Sequence, residues 1–241
     1  MMRSILRAGA ALALGASSAL AAPAAPAPRD VTGVTAADVA ASNQKVAAAF
    51  SDLVAMWSDA FGHIGERFAR PDLVRYRGAV RTPCGIMSSG NAGYCIGDNT
   101  IYYDDVFVAG QAKAAARQLG TDGDMAAVGV IAHEMGHAVA MQLGHMWRQS
   151  YQNEAVADCL AGAFAKSADQ RKELEPGDVD EAFYGMASAG DPTPQLTGDQ
   201  RIDRAILVHM ARVGHGTDEQ RVANFRSGLT GGAGACLADF R

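Results

Sequence analysis

Residues 133 to 137 read His-Glu-Met-Gly-His. On a helix, positions i and i+4 lie one above the other on a single face, so the imidazoles of His133 and His137 can reach one ion. Zinc accepts such nitrogens at about 2.0–2.1 Å and prefers four ligands. Glu134 projects roughly 100° round the helix from His133. It stands beside the metal, where a base for an activated water has to sit. Five residues need support from their surroundings, and two features supply it. Val128, Ile131, Met135, Val139 and Leu143 recur at helical spacing and give the segment 124 to 143 an apolar back face. A further acidic group then follows within reach.

That group lies in Asn153 to Asp158, NEAVAD, which opens the next helix, about 150 to 168. The connection before it is short enough to return the chain antiparallel. Glu154 and Asp158 are again i and i+4. Glu154 completes a two-histidine, one-glutamate set with the fourth zinc position left open. Asp158, one turn on, is placed to accept the second ring N–H of a ligating histidine and fix its tautomer. An acidic pair at this spacing usually marks a solvated face. Here Ala155, Val156, Ala157, Leu160, Ala161 and Gly162 make the helix mostly apolar, where unpartnered carboxylates are costly. One Zn2+ per chain is expected.

The remaining polar candidates divide sharply. His63, His145 and His209 have no ligand spacing and read as ordinary surface or core residues. Asp104-Asp105 lacks the further oxygen ligands of a calcium loop and reads as a helix start. His215 is different. Gly214 and Gly216 flank it, and a helix capped by Thr217 follows. A neutral imidazole at that helix N-terminus can still donate one hydrogen bond, which suits it to a developing oxyanion.

The elements that must position these groups are mostly helical. A long helix is expected over 36 to 61, then a short strand at 73 to 77 and a Gly-, Ser- and Asn-rich loop over 81 to 97. The β-formers from Asn99 start a strand that turns helical after Asp104. Beyond the two helices that carry the metal candidates, three more are expected. They span 176 to 189 and 199 to 213, and the last runs from the Thr217–Gln220 capping box to about 228. The fold class is therefore α+β, mainly helical, in one domain over 36–241.

Composition narrows the function. Of 241 residues, 49% are hydrophobic and 20% charged, which excludes disordered and fibrous classes. A net charge of -5, from 21 basic against 26 acidic residues, offers nucleic acid no attractive field. Arg3 and Arg7 precede an apolar run, Ala8 to Leu20, that ends in Ala19-Leu20-Ala21. This reads as a signal peptide over 1–21, followed by an Ala/Pro-rich linker over 22–35. An uncleaved membrane anchor is the alternative. No other stretch reaches about 18 consecutive apolar residues, so no membrane span is expected in the mature chain. Export to the periplasm or the medium fits Cys84, Cys95, Cys159 and Cys236, an even set that allows three pairings.

Beyond the five-residue motif, the chain resembles the bacterial neutral zinc metallopeptidases with glutamate as third ligand. The likeness runs in order through TPCG (82–85), YCIGDNTIYYDDVF (94–107), HEMGH, EAVADCLAG (154–162), GDVDEAFYGMASAGD (177–191) and HGTDEQR (215–221). It implies zinc on His133, His137 and Glu154, Glu134 as general base, and a zincin-like domain with a small sheet on the metal helix. It adds weight to His215 as a catalytic group. It also implies a peptide substrate lying along an edge strand, for which Thr100, Ile101, Tyr102 and Tyr103 are the candidates. The family often has a second histidine directly after the metal pair, where this chain has Ala138, and many members carry an N-terminal transmembrane helix. The disulfides expected are Cys84–Cys95, stiffening one wall of the cleft, and Cys159–Cys236, tying the C-terminal tail to the helix of Glu154. The function expected is an exported zinc endopeptidase acting on a peptide or protein substrate. The competing reading is an exported, non-catalytic module that keeps zinc for stability, but such a module has no use for Glu134.

Overall fold

A computed structural model describes residues 33–148 and 150–238. The expected signal peptide and nearly all of the 22–35 linker lie outside the described residues. Along the chain come α1 (Ala36–His63), β1 (Asp72–Tyr76), β2 (Val80–Thr82), β3 (Gly85–Met87), β4 (Ala92–Cys95) and β5 (Thr100–Asp104). Seven helices follow: α2 (Asp105–Leu119), α3 (Asp124–Gln142), α4 (Ser150–Gln170), α5 (Asp178–Ser188), α6 (Gln200–Val213), α7 (Asp218–Gly231) and α8 (Ala233–Ala238). The domain is thus mainly helical α+β.

Local chemistry sets the helix ends. Thr35 and Asp38 form a reciprocal capping box at the start of α1, which buries Val46, Phe50, Leu53, Trp57 and Phe61 on one face. Asp104 caps α2 by accepting the N–H groups of Val106 and Phe107, so the Asp pair is a helix start. Thr217 and Gln220 make a second capping box on α7. The N-terminus of α3 has no cap of its own. Instead the buried carboxylate of Glu181, from α5, accepts the N–H groups of Gly123 and Met125 at 2.9 Å each.

Five strands form two small sheets. The larger has the order β1-β5-β4, with β5 parallel to β1 and antiparallel to β4. Hairpin β2-β3 stands apart. Two expectations are corrected here. The stretch 81–97 is not all loop, because it contains β3 and β4 and most of β2. Thr100, Ile101, Tyr102 and Tyr103 form the middle strand, not an edge. Thr100, Ile101 and Tyr103 are buried, and both flanks are hydrogen-bonded, so no backbone group there is left for a peptide. The edge beside α3 is β4. A short helix, α8, also follows where none was expected.

α4 is the central helix, held against α3 and α7 by backbone contact. A Cβ at Gly136 would lie 2.8 Å from Ala157 Cα, and one at Gly228 would lie 1.7 Å from Cys159 O. Glycine is required at both positions for the helices to approach this closely. The structure pairs Cys84, in the β2-β3 turn, with Cys95 at the end of β4, and Cys159 with Cys236 between α4 and α8. Among the described residues, no helix is long and apolar enough to cross a membrane.

Candidate metal centre

α3 is buried almost all round, through Val128, Ile131, Met135 and Val139 at its back and through His133 and Glu134 at its front. One turn separates His133 from His137, and α4 lies antiparallel across them, bringing Glu154 to the same point. His133 Nε2 is 3.1 Å from His137 Nε2 and 3.1 Å from Glu154 Oε2, while His137 Nε2 is 3.5 Å from Glu154 Oε1. A tetrahedral ion with ligand atoms at about 2.05 Å separates them by about 3.3 Å. Three ligand-type atoms therefore converge at the spacing zinc requires.

The electrostatics agree. Burial and the nearby Arg221 oppose a proton on His133, but hydrogen bonds and charge from Asp158 and Glu154 outweigh them and hold its pKa at about 10. Burial and the charge on His133 push His137 down to about 4. His137 is thus held neutral, with a lone pair free for a metal, whereas a cation at this point would take the place of the proton that the carboxylates favour on His133. Burial works against ionised Glu154, yet the His133 hydrogen bond holds its carboxyl low, ready to ligate.

Around these ligands stands a supporting layer. Asp158, fully buried, accepts the Nδ1–H of His133 at 2.8 Å, the partner a ligating imidazole needs on its far nitrogen. Burial alone would raise the Asp158 carboxyl; Arg221 and His133 hold it low. Arg221 donates to Asp158 through Nη2 at 2.6 Å and Nε at 3.1 Å, a bidentate charged pair. Residue spacing on α3 and α4 gives no hint of Arg221, which arrives from α7. The charge sum does give one. Glu134, Glu154 and Asp158 carry three negative charges against two on zinc, and a buried site needs the balance made up.

Glu134 accepts the N–H of Tyr94, on β4, at 2.8 Å. Burial pushes its carboxyl up, the direction that suits a group that must take up a proton. A cleft of about 750 Å³ opens here, lined by β4 on one side and by Glu154, Met186, Asp191, His215 and Arg221 on the other. His215 is therefore on the same cleft as His133 and His137. Its N–H donates to Asp191 Oδ2 at 2.6 Å, and its Nδ1 lies 3.5 Å from Asp191 Oδ1. His145, read from sequence as ordinary, also lines the cleft and stacks on Trp147. Thr100 to Tyr103 do not line it.

The family profile described as "putative neutral zinc metallopeptidase" matches residues 11–240. "Uncharacterized protein YpfJ" of Escherichia coli K12 is 33% identical over 211 residues, covering 79% of this chain and 70% of that protein. "Uncharacterized protein Rv2575" of Mycobacterium tuberculosis H37Rv is 30% identical over 164 residues, covering 59% of this chain and 55% of its own. No solved structure matches. With two histidines and a glutamate converging behind HEMGH and a profile spanning nearly the whole sequence, the chain belongs to the neutral zinc metallopeptidase family.

Proposed function

We propose that this protein is a zinc-dependent endopeptidase acting outside the cytoplasm, with zinc held by His133, His137 and Glu154. The observation that carries the reading is Glu134, a buried carboxylate beside the converging ligand atoms that serves no ligand and faces the cleft. When bound there, zinc supplies Lewis acidity, which acidifies a water and polarises a carbonyl. Glu134 takes the proton of the attacking water and returns it to the leaving amine, and the Tyr94 N–H keeps its second oxygen in place. Along β4, successive backbone groups alternate between the β5 side and the open side. Tyr94 turns its N–H to the cleft, so Ala92, two residues earlier, offers its N–H and C=O to an extended peptide. β4 thus takes the role expected of Thr100 to Tyr103. His215, with a proton on Nε2, donates to the oxyanion as the carbonyl opens. The two disulfides support an oxidising compartment.

Digestion of an unbiased peptide library, with and without a chelator, tests the reading. Cleavage within peptides is expected, abolished by chelation and lowered by several orders of magnitude in Glu134→Gln, which keeps its zinc. His215→Ala is expected to keep zinc and lose about 10²–10³ in kcat. A wild type that loads zinc and is as inert as Glu134→Gln would replace the peptidase with a zinc-stabilised module.

A further inference from the structure

We infer that Arg221 is a positioning residue that joins the zinc ligand His133 to the cleft rim carrying His215, so that loading the metal stiffens that rim. The inference rests on the zinc site proposed above but not on peptidase activity.

One buried guanidinium reaches three places. Through Nη2 and Nε it holds both oxygens of Asp158, the group that receives Nδ1–H of His133. Nη2 also lies 3.1 Å from His133 Nδ1. With that nitrogen donating to Asp158, the two are neighbouring donors to one oxygen, Asp158 Oδ1, and it is this shared acceptor that holds the ring and the guanidinium together. Through Nη1 it donates to the carbonyl of Ala189 at 3.1 Å, at the C-terminal end of α5. Ala189 is two residues from Asp191. Asp191 donates its own N–H to Gly216 O at 2.7 Å and accepts the His215 N–H through Oδ2. A Cβ at Gly190 would meet the backbone of Thr217 and Asp218, and one at Gly214 would lie 2.7 Å from Asp191 Oδ2, so this junction is tightly closed.

The path from His133 to His215 is thus a series of charged and backbone hydrogen bonds joined by the short covalent stretch from Ala189 to Asp191, and among the described residues Arg221 is the side chain whose hydrogen bonds reach both Asp158 and the rim. Lysine cannot replace it, since an ammonium lacks the planar fork that engages a carboxylate and a carbonyl at once. An ion that fixes His133 restrains Asp158, then Arg221, then Ala189. The rim pays less ordering entropy once the metal is in place.

Amide hydrogen exchange on the full chain, zinc-loaded and chelated, tests this. Zinc should slow exchange along α3 and α4 and also at the Asp191 and His215 amides. In Arg221→Lys and Arg221→Met the slowing should persist on the helices and vanish at Asp191 and His215. Zinc affinity, by competition with a chromophoric chelator, should fall about 10–100-fold in Arg221→Met. Zinc-dependent slowing at His215 in Arg221→Met equal to wild type, or an unchanged affinity, overturns the inference. Should lone Asp158 unfold that variant, Asp158→Asn/Arg221→Met removes both buried charges and the same comparison is made on it. A wild type that binds zinc yet cleaves nothing overturns the peptidase alone, whereas one that binds no zinc overturns both.

Discussion

Two clusters of ligand-type side chains meet α3, and they differ in what holds them. Near its C-terminal half, Glu154 meets His133 and His137. At its N-terminus, Asp122, Asp124, Asp178 and Glu181 also bring ligand-type oxygens within 4.8 Å of one another. The second set is already engaged. Glu181 accepts two backbone N–H groups, Asp124 is paired with Lys45 Nζ, and Asp178 accepts the N–H of Glu175. Backbone dipoles and a lysine satisfy that end, which makes it a helix cap. The first set turns nitrogen and oxygen atoms of its three residues toward one point, while the far nitrogen of His133 is hydrogen-bonded to Asp158. What marks a metal centre here is therefore where the spare lone pairs face, and acidic clustering alone does not.

Metal content gives the largest contrast. Wild type should hold one zinc per chain, and His137→Ala or Glu154→Ala should hold essentially none by elemental analysis. Asp122→Ala with Asp124→Ala should leave the content unchanged, and a second equivalent lost from that variant would break the distinction. Glu181→Ala should keep its zinc but lose stability in urea. It strands two buried N–H donors at about 1–3 kcal/mol each, and Glu181→Gln should recover part of the loss. The smallest effect sharpens the comparison through pH. Burial, helped by the charges of Asp124 and Glu181, raises Asp178 from 3.8 to about 6. Its folded state thus holds the proton more tightly than the unfolded chain. Its contribution to stability is full below about pH 4 and lost as pH rises through about 6. Asp178→Asn should flatten that loss, so its Tm should gain on wild type between pH 4 and 7.

Much of the site was legible because its spacing is local. HEMGH on an apolar-backed helix and the Glu154–Asp158 face both follow from a period of 3.6, and the structure keeps both on α3 and α4. The sheet was harder to read. β4, AGYC, has neither alternation nor β-branched residues, and its extended form is imposed by pairing with β5 and by the Cys84–Cys95 bridge. The family resemblance places a substrate-binding edge at Thr100 to Tyr103. A strand buried on both faces is more at home in the middle of a sheet, and the burial of Thr100, Ile101 and Tyr103 shows that rule winning. Arg221 and Glu181 reach α3 from distant helices, and no short-range pattern announces them. Only the need to neutralise or cap a buried group does.

The Cys159–Cys236 bridge has a consequence for the chain once its fold is lost. It spans a sequence separation of 77 residues, and that covalent ring contains Asp191, His215 and Arg221 while leaving out His133, His137 and Glu154. In the chain-entropy account a ring of that size removes about 4.5 kcal/mol from the freedom of the unfolded state. The ring begins five residues after Glu154, so even a denatured molecule carries the rim of its cleft on a short leash beside one zinc ligand. Reduction cuts the leash without touching a single ligand. Thiol exposure should therefore slow recovery from denaturation more than it disturbs the molecule already folded.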